Sequence, residues 1–189
     1  MLLAAAPLAA QSVHREVLDN GLTLIVDDRA LTHAVELRAV VAAGPAYEGD
    51  LLGTGVSAVV RRILSDAVRA GRIAADDPRQ ATDRLRSQLD VGATSFSLTT
   101  TDRYVDAGVR LLAGVLGYRD YDAAAVVQAR ELTLQQSAAA AADPRRVERQ
   151  ALLATALRRH PARLPVTGLA DRLGTLDLES VRRYHRRRY

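Results

Sequence analysis

The side chains able to do chemistry in this 189-residue chain are few and scattered. Its histidines, His14, His33, His160 and His185, include no His-x-x-x-His pair, the spacing that puts two imidazoles on one helical face to hold a metal. Cysteine is absent, which excludes a disulfide frame and a thiolate metal site. Ser57, Ser65 and Ser97 lack the spacing of a nucleophile elbow. Gly53-Thr54-Gly55 lacks the third glycine, and no Lys-Ser or Lys-Thr follows to make a phosphate loop. What stands out instead is a pair of cations, Arg61 and Arg62, inside Gly53-Thr54-Gly55-Val56-Ser57-Ala58-Val59-Val60-Arg61-Arg62-Ile63-Leu64.

That segment is predicted to be a helix with one buried face. Gly53 and Gly55 open it, Val56, Val59, Val60, Ile63 and Leu64 recur at helical spacing, and no proline interrupts it. Upstream, Val17-Leu18-Asp19-Asn20-Gly21-Leu22-Thr23 reads as strand, tight turn and strand, because Asn and Gly accept the positive φ that such a turn needs. Residues 35–43 alternate, with Val35, Leu37, Ala39 and Val41 on one face, until Gly44-Pro45 breaks the run. Residues 69–89 read as a loop and a helix opened by Asp76-Asp77-Pro78. Residues 89–104, rich in Thr, Ser and aromatics, read as strands. Residues 105–116 and 121–141 read as helices, and shorter helices are expected over 152–157 and near the end of the chain.

This order resembles the N-terminal domain of the pitrilysin and insulinase zinc peptidases, the family of mitochondrial processing peptidase. The matching pieces are the Leu18-Asp19-Asn20-Gly21-Leu22 hairpin, a long strand ending in Ala43-Gly44, an acidic loop with Glu48, and the Gly53-x-x-x helix. Asp143-Pro144, His160-Pro161, Gly168 and the 173–189 helix extend the match over nearly the whole chain. In that family the helix carries His-x-x-Glu-His, two zinc ligands flanking a general base. Here the histidine positions fall on Ala58 and Arg62, and the glutamate position on Arg61. The third zinc ligand, a glutamate of a later helix, falls on Gln136, a neutral amide and a much poorer ligand. The resemblance therefore implies a domain whose zinc is absent and whose catalytic residues are gone. It also implies a substrate or partner edge strand at Ala93, Thr94, Ser95 and Phe96, to which an extended peptide would add by main-chain hydrogen bonds. Phe96 either blocks the old groove there or is a core residue.

Composition sets bounds. With 48% hydrophobic residues the chain can bury one sizeable core, and one domain over 13–189 is expected. Residues 1–12 read as the remnant of a secretory signal cleaved after Ala10, or as a disordered tail. The signal reading implies an extracytoplasmic bacterial protein, periplasmic or secreted. No apolar run is long enough to span a membrane. The formal charge is +4 and every cation besides histidine is arginine. Arg182, Arg183, Arg186, Arg187 and Arg188, interleaved with Tyr184, His185 and Tyr189, could grip a nucleic-acid backbone, but acidic residues spread through the chain favour an ordinary solvated helix end.

The expected fold is α+β: a mostly antiparallel sheet of about five or six strands packed with helices. The expected function is that of a non-catalytic homologue. It would pair with an active zinc peptidase subunit or a second homologous domain around a peptide chamber. A non-proteolytic scaffold or binding module is the alternative, and an arginine-rich nucleic-acid binder a lesser one.

Overall fold

The computed structural model describes residues 12–28, 32–73 and 85–189. The fold is α+β, as expected, with antiparallel strands and a larger helical part, but among the described residues the strands form two sheets, of two and three strands, rather than one of five or six. The first hairpin pairs β1 (Ser12–Val17) with β2 (Thr23–Asp28) in a register that sets Val17 opposite Thr23. Its turn follows from its residues. Gly21 sits at φ +83°, the amide of Gly21 donates to the Leu18 carbonyl at 2.8 Å, and the Asn20 side chain accepts from Leu22 N at 3.0 Å. The hairpin stands as its own two-stranded sheet with exposed apolar side chains, Ile25 being 62% accessible.

Among the described residues the second sheet has three antiparallel strands in the order β3 (Ala34–Val41), β5 (Thr94–Thr101), β4 (Leu85–Leu89). The alternation read along β3 holds: Val35, Leu37, Ala39 and Val41 face inward and their neighbours are exposed. Leu37 lies opposite Leu98, and Ala39 opposite Phe96, which in turn faces Ser87 of β4. Phe96 is fully buried in the core. It is a core residue and not a plug in an open groove.

Two strand expectations need correction. Residues 85–89 form a strand where a helix was expected, because Leu85, Ser87 and Leu89 turn inward between exposed Arg86 and Gln88, a two-residue period that a helix cannot satisfy. The rest of that expected helix, including Asp76-Asp77-Pro78, lies outside the described residues, as does nearly all of the 1–12 signal segment. Second, Thr94, Ser95 and Phe96 are not on an edge. Their strand is the centre of the sheet, with both sides taken by β3 and β4, while Ala93 lies in the preceding turn, its carbonyl accepting from Asp90 N at 2.8 Å. The outer strand on that side, among the described residues, is β4.

The helices are α1 (Val56–Arg69), α2 (Val105–Gly117), α3 (Ala123–Ala141), α4 (Pro144–Ala156), the short α5 (Ala170–Leu173) and α6 (Leu178–Arg188). Asp122, Asp143 and Asp177 cap α3, α4 and α6 by accepting from backbone amides two or three residues on. Helix α1 packs against α3, α6 and β4, and α2 lies over β3 and β5. The core is therefore the inward face of the sheet, α1 and the inner sides of α2, α3 and α6: Val56, Val59, Val60, Leu64, Leu98, Leu111, Val115, Val126 and Val181 are all buried there.

Candidate functional site at the start of helix α1

The start of α1 is fixed by backbone crossing. Gly55 sits at φ +70°, and a Cβ placed on it would lie 2.2 Å from the Thr167 carbonyl oxygen. Leu169 N donates to the Gly53 carbonyl at 2.8 Å, and Arg172 Nη1 to the Leu52 carbonyl at 2.8 Å. The 165–172 segment thus clamps the entry to the helix.

Glycine at the helix cap offers no side-chain acceptor for the first amides, and Glu48 supplies one from the preceding loop. Its Oε1 accepts from Ser57 N at 3.2 Å and from Ser57 Oγ at 2.6 Å, while Oε2 accepts from Gly53 N at 3.1 Å. Glu48 is 3% exposed; burial pushes its carboxyl above the usual carboxylate range, and the bonds from Ser57 and Gly53 pull it back. The positive end of the helix lies beside it. This anchor is invisible at sequence level except as an acidic residue before a glycine-rich helix start. Replacing Ser57 with alanine removes the shortest hydrogen bond to a buried carboxylate and is expected to cost roughly 2 kcal/mol, measured by urea denaturation at neutral pH.

Beside this anchor and one turn further on lie the positions singled out in the sequence. Ala58 is 2% exposed and its methyl packs into the interior. Arg61 reaches β4, where Nη1 donates to Ser87 Oγ at 2.8 Å. The Ser65 hydroxyl donates to the Arg61 carbonyl at 2.9 Å, so the 2.9 Å contact between Ser65 and Ser87 has Ser87 as its donor. Arg62 turns to α3, where Nη2 donates to Gln136 Oε1 at 3.1 Å. Residues 62 and 136 are thus brought together across 74 positions of sequence. Burial, then the neighbouring charge of Arg62, lowers the affinity of Arg61 for its proton from the usual arginine range.

A methyl, two guanidiniums and an amide do not suit a divalent cation: the guanidiniums carry no acceptor and repel it. Among the described residues no cluster of three or more His, Asp or Glu side chains could hold a metal. The histidines are dispersed. His14 lies 3.6 Å from Glu16, His33 contacts Asp102 at 2.7 Å, His160 accepts from Ala162 N in a turn, and His185 is fully buried.

The C-terminal arginines are drawn into the fold. Arg182 Nη2 donates to the Tyr121 carbonyl at 2.9 Å, Arg183 pairs with Asp50 at 3.8 Å, Arg186 with Glu179 at 3.2 Å, and the Arg188 guanidinium lies 5.0 Å from the Tyr47 ring centre. Tyr184 and Tyr189, expected among those arginines on a solvated helix end, are instead turned inward: both hydroxyls are buried, and burial raises both phenols, Tyr189 to about 12.

The sequence matches no protein-family model and no curated protein. Its fold matches solved structures closely. The peptidase M16 inactive domain from Pseudomonas fluorescens aligns with TM-score 0.75 at 17% identity, over 92% of this chain and 43% of that one. The periplasmic protease PqqL from Escherichia coli aligns with TM-score 0.78 at 16% identity, over 97% of this chain and 21% of that one. A chain of Complex III2 from Candida albicans aligns with TM-score 0.70 at 17% identity, over 92% and 39%. The chain spans less than half the length of these structures.

Proposed function

Starting from the fold of an M16, pitrilysin-like peptidase domain, we propose that this chain is a non-catalytic homologue of those zinc peptidases and pairs with a catalytically active subunit or a second homologous domain in peptide processing or degradation. The observation that carries the reading is the Arg62–Gln136 contact: two of the positions that the family resemblance marks for metal ligands meet in space, and they meet as cation and amide. The likeness to a domain described as inactive supports it. A periplasmic setting is the accompanying proposal, supported by the likeness to PqqL. Among the described residues no helix is long and apolar enough to cross a membrane.

Three measurements test this. A native pull-down from the source cells is expected to recover a zinc peptidase with this chain; a pull-down that recovers none counts against the partnership. Elemental analysis of the purified chain is expected to find well under one zinc per chain. The variant combining Ala58→His, Arg61→Glu, Arg62→His and Gln136→Glu is expected to gain one zinc per chain, because residues 62 and 136 are already in contact. A variant that folds yet takes up no zinc would break the correspondence of positions.

A scaffold without a peptidase partner is the second reading, favoured by the likeness to a chain of Complex III2. Stable association with non-peptidase proteins alone would select it.

A further inference from the structure

Arg61 and Arg62 are neighbours on α1, yet each is tethered to a different wall. One guanidinium is held by Ser87 of β4, the other by Gln136 of α3. Both tethers are neutral, and neither arginine forms an ion pair with a described carboxylate; the described arginine ion pairs belong to Arg69, Arg146, Arg183 and Arg186. Each Nε is buried without an acceptor among the described residues. The buried Tyr189 hydroxyl is within electrostatic reach of Arg61.

Two partly buried like charges with spare donors and no ion-paired carboxylate among the described residues form an unfavourable arrangement, which the more distant charge of Asp66 only partly offsets at Arg61. The same arrangement is what an oxyanion needs, since a guanidinium offers a planar fork of donors that fits carboxylate and phosphate oxygens. One hydrogen bond already fixes each fork, so little side-chain freedom is left to lose on binding.

We propose that Arg61 and Arg62 form an oxyanion-binding site between β4 and α3, taking a carboxylate or phosphoryl group of a ligand. The site stands whether or not the chain partners a peptidase, so its test uses the isolated full chain. Thermal unfolding and calorimetric titration are followed with inorganic phosphate, with an N-acetylated tripeptide bearing a free carboxylate, and with the amide of that peptide, all at matched ionic strength against chloride.

The expected result is a saturable rise in unfolding temperature with phosphate or the free acid, and none with the amide. The apparent affinity falls about tenfold or more in Arg61→Met and in Arg62→Met, the loss of one charge-assisted contact. It is unchanged in Arg145→Met, which removes an exposed charge on α4. A response to phosphate alone assigns a phosphoryl ligand, and one to the free acid alone a carboxylate. Arg62→Met, whose side chain reaches an exposed partner, carries the test if Arg61→Met does not fold. Equal responses in wild type and variants, or no saturable response to either anion, would overturn the proposal.

Discussion

Replacing Gly55 with alanine is expected to remove roughly 2–5 kcal/mol of stability, from about 1–2 kcal/mol for a left-handed alanine and a further 1–3 kcal/mol for displacing packed structure. The obstacle is backbone. A Cβ at Gly55 lies 2.2 Å from the Thr167 oxygen and 2.8 Å from its carbonyl carbon, so no side-chain rotation relieves it. The crossing is reciprocal, since a Cβ at Gly168 would lie 2.5 Å from Gly55 N. Relief requires the 165–172 segment to withdraw, and with it the Leu169-to-Gly53 hydrogen bond that secures the helix entry. Gly71→Ala provides the comparison. Gly71 has φ +65° and open space for 4 Å around the point an added methyl would occupy, so it carries the conformational cost without the collision. Urea denaturation of both variants separates the two contributions; equal losses would show that the crossing is not what holds α1 in place.

Acidification from pH 6.5 to about 4 is expected to cost the fold roughly 3 kcal/mol through His185 alone, since each tenfold change in proton affinity is worth about 1.4 kcal/mol. The ring is fully buried between α6 and the loop before α3. Arg119 Nη1 lies 2.7 Å from Nε2, and because a guanidinium only donates, Nε2 accepts and the proton sits on Nδ1, directed at Tyr121 Oη 3.0 Å away. Protonating Nε2 would set the buried imidazolium against the Arg119 guanidinium 2.7 Å away. Burial first, and Arg119 second, lower the His185 pKa to about 4. The sign follows: the folded protein holds His185 neutral, so its contribution is complete above pH 6.5, where the unfolded histidine is also neutral. It falls away as pH drops through 4. Glu48 acts in the opposite sense, because its raised pKa favours the protonated form in the fold and its contribution fades as pH rises. The check is the urea midpoint against pH for wild type and His185→Gln. The variant is expected to be weaker at pH 7 and to lose the histidine component of the slope between pH 6.5 and 4; parallel profiles would assign acid sensitivity elsewhere.

Local chemistry made much of this architecture legible. Asn20-Gly21 forces the first hairpin and period-two alternation places β3, whereas the caps Asp122, Asp143 and Asp177 that start three helices were not legible, since charged residues crowd the first turns of the helices after Asp143 and Asp177. What local pattern could not carry was the partner of each strand. Thr94, Ser95 and Phe96 have the composition of either an edge or a centre, and only the long-range pairing with β3 on one side and β4 on the other decides it. Strand β4 was hidden because Arg86 and Gln88 fill its exposed positions, so that five residues hold only two apolar side chains. At the site, the identities of residues 58, 61, 62 and 136 were readable, and the meeting of Arg62 with Gln136 follows the family resemblance. The tether from Arg61 to Ser87 is a tertiary contact that no spacing announces, and so is the capture of Ser57 by Glu48.

The hydrogen-bonded anchorage of the α1 entry lies upstream of residues 61 and 62. Glu48, Ser57 and the glycine crossing grip the first turn, whereas residues 61 and 62 project from the next one. Foundation and outer surface are therefore separately replaceable: the side chains at 61 and 62 can be exchanged without loosening the grip on the first turn.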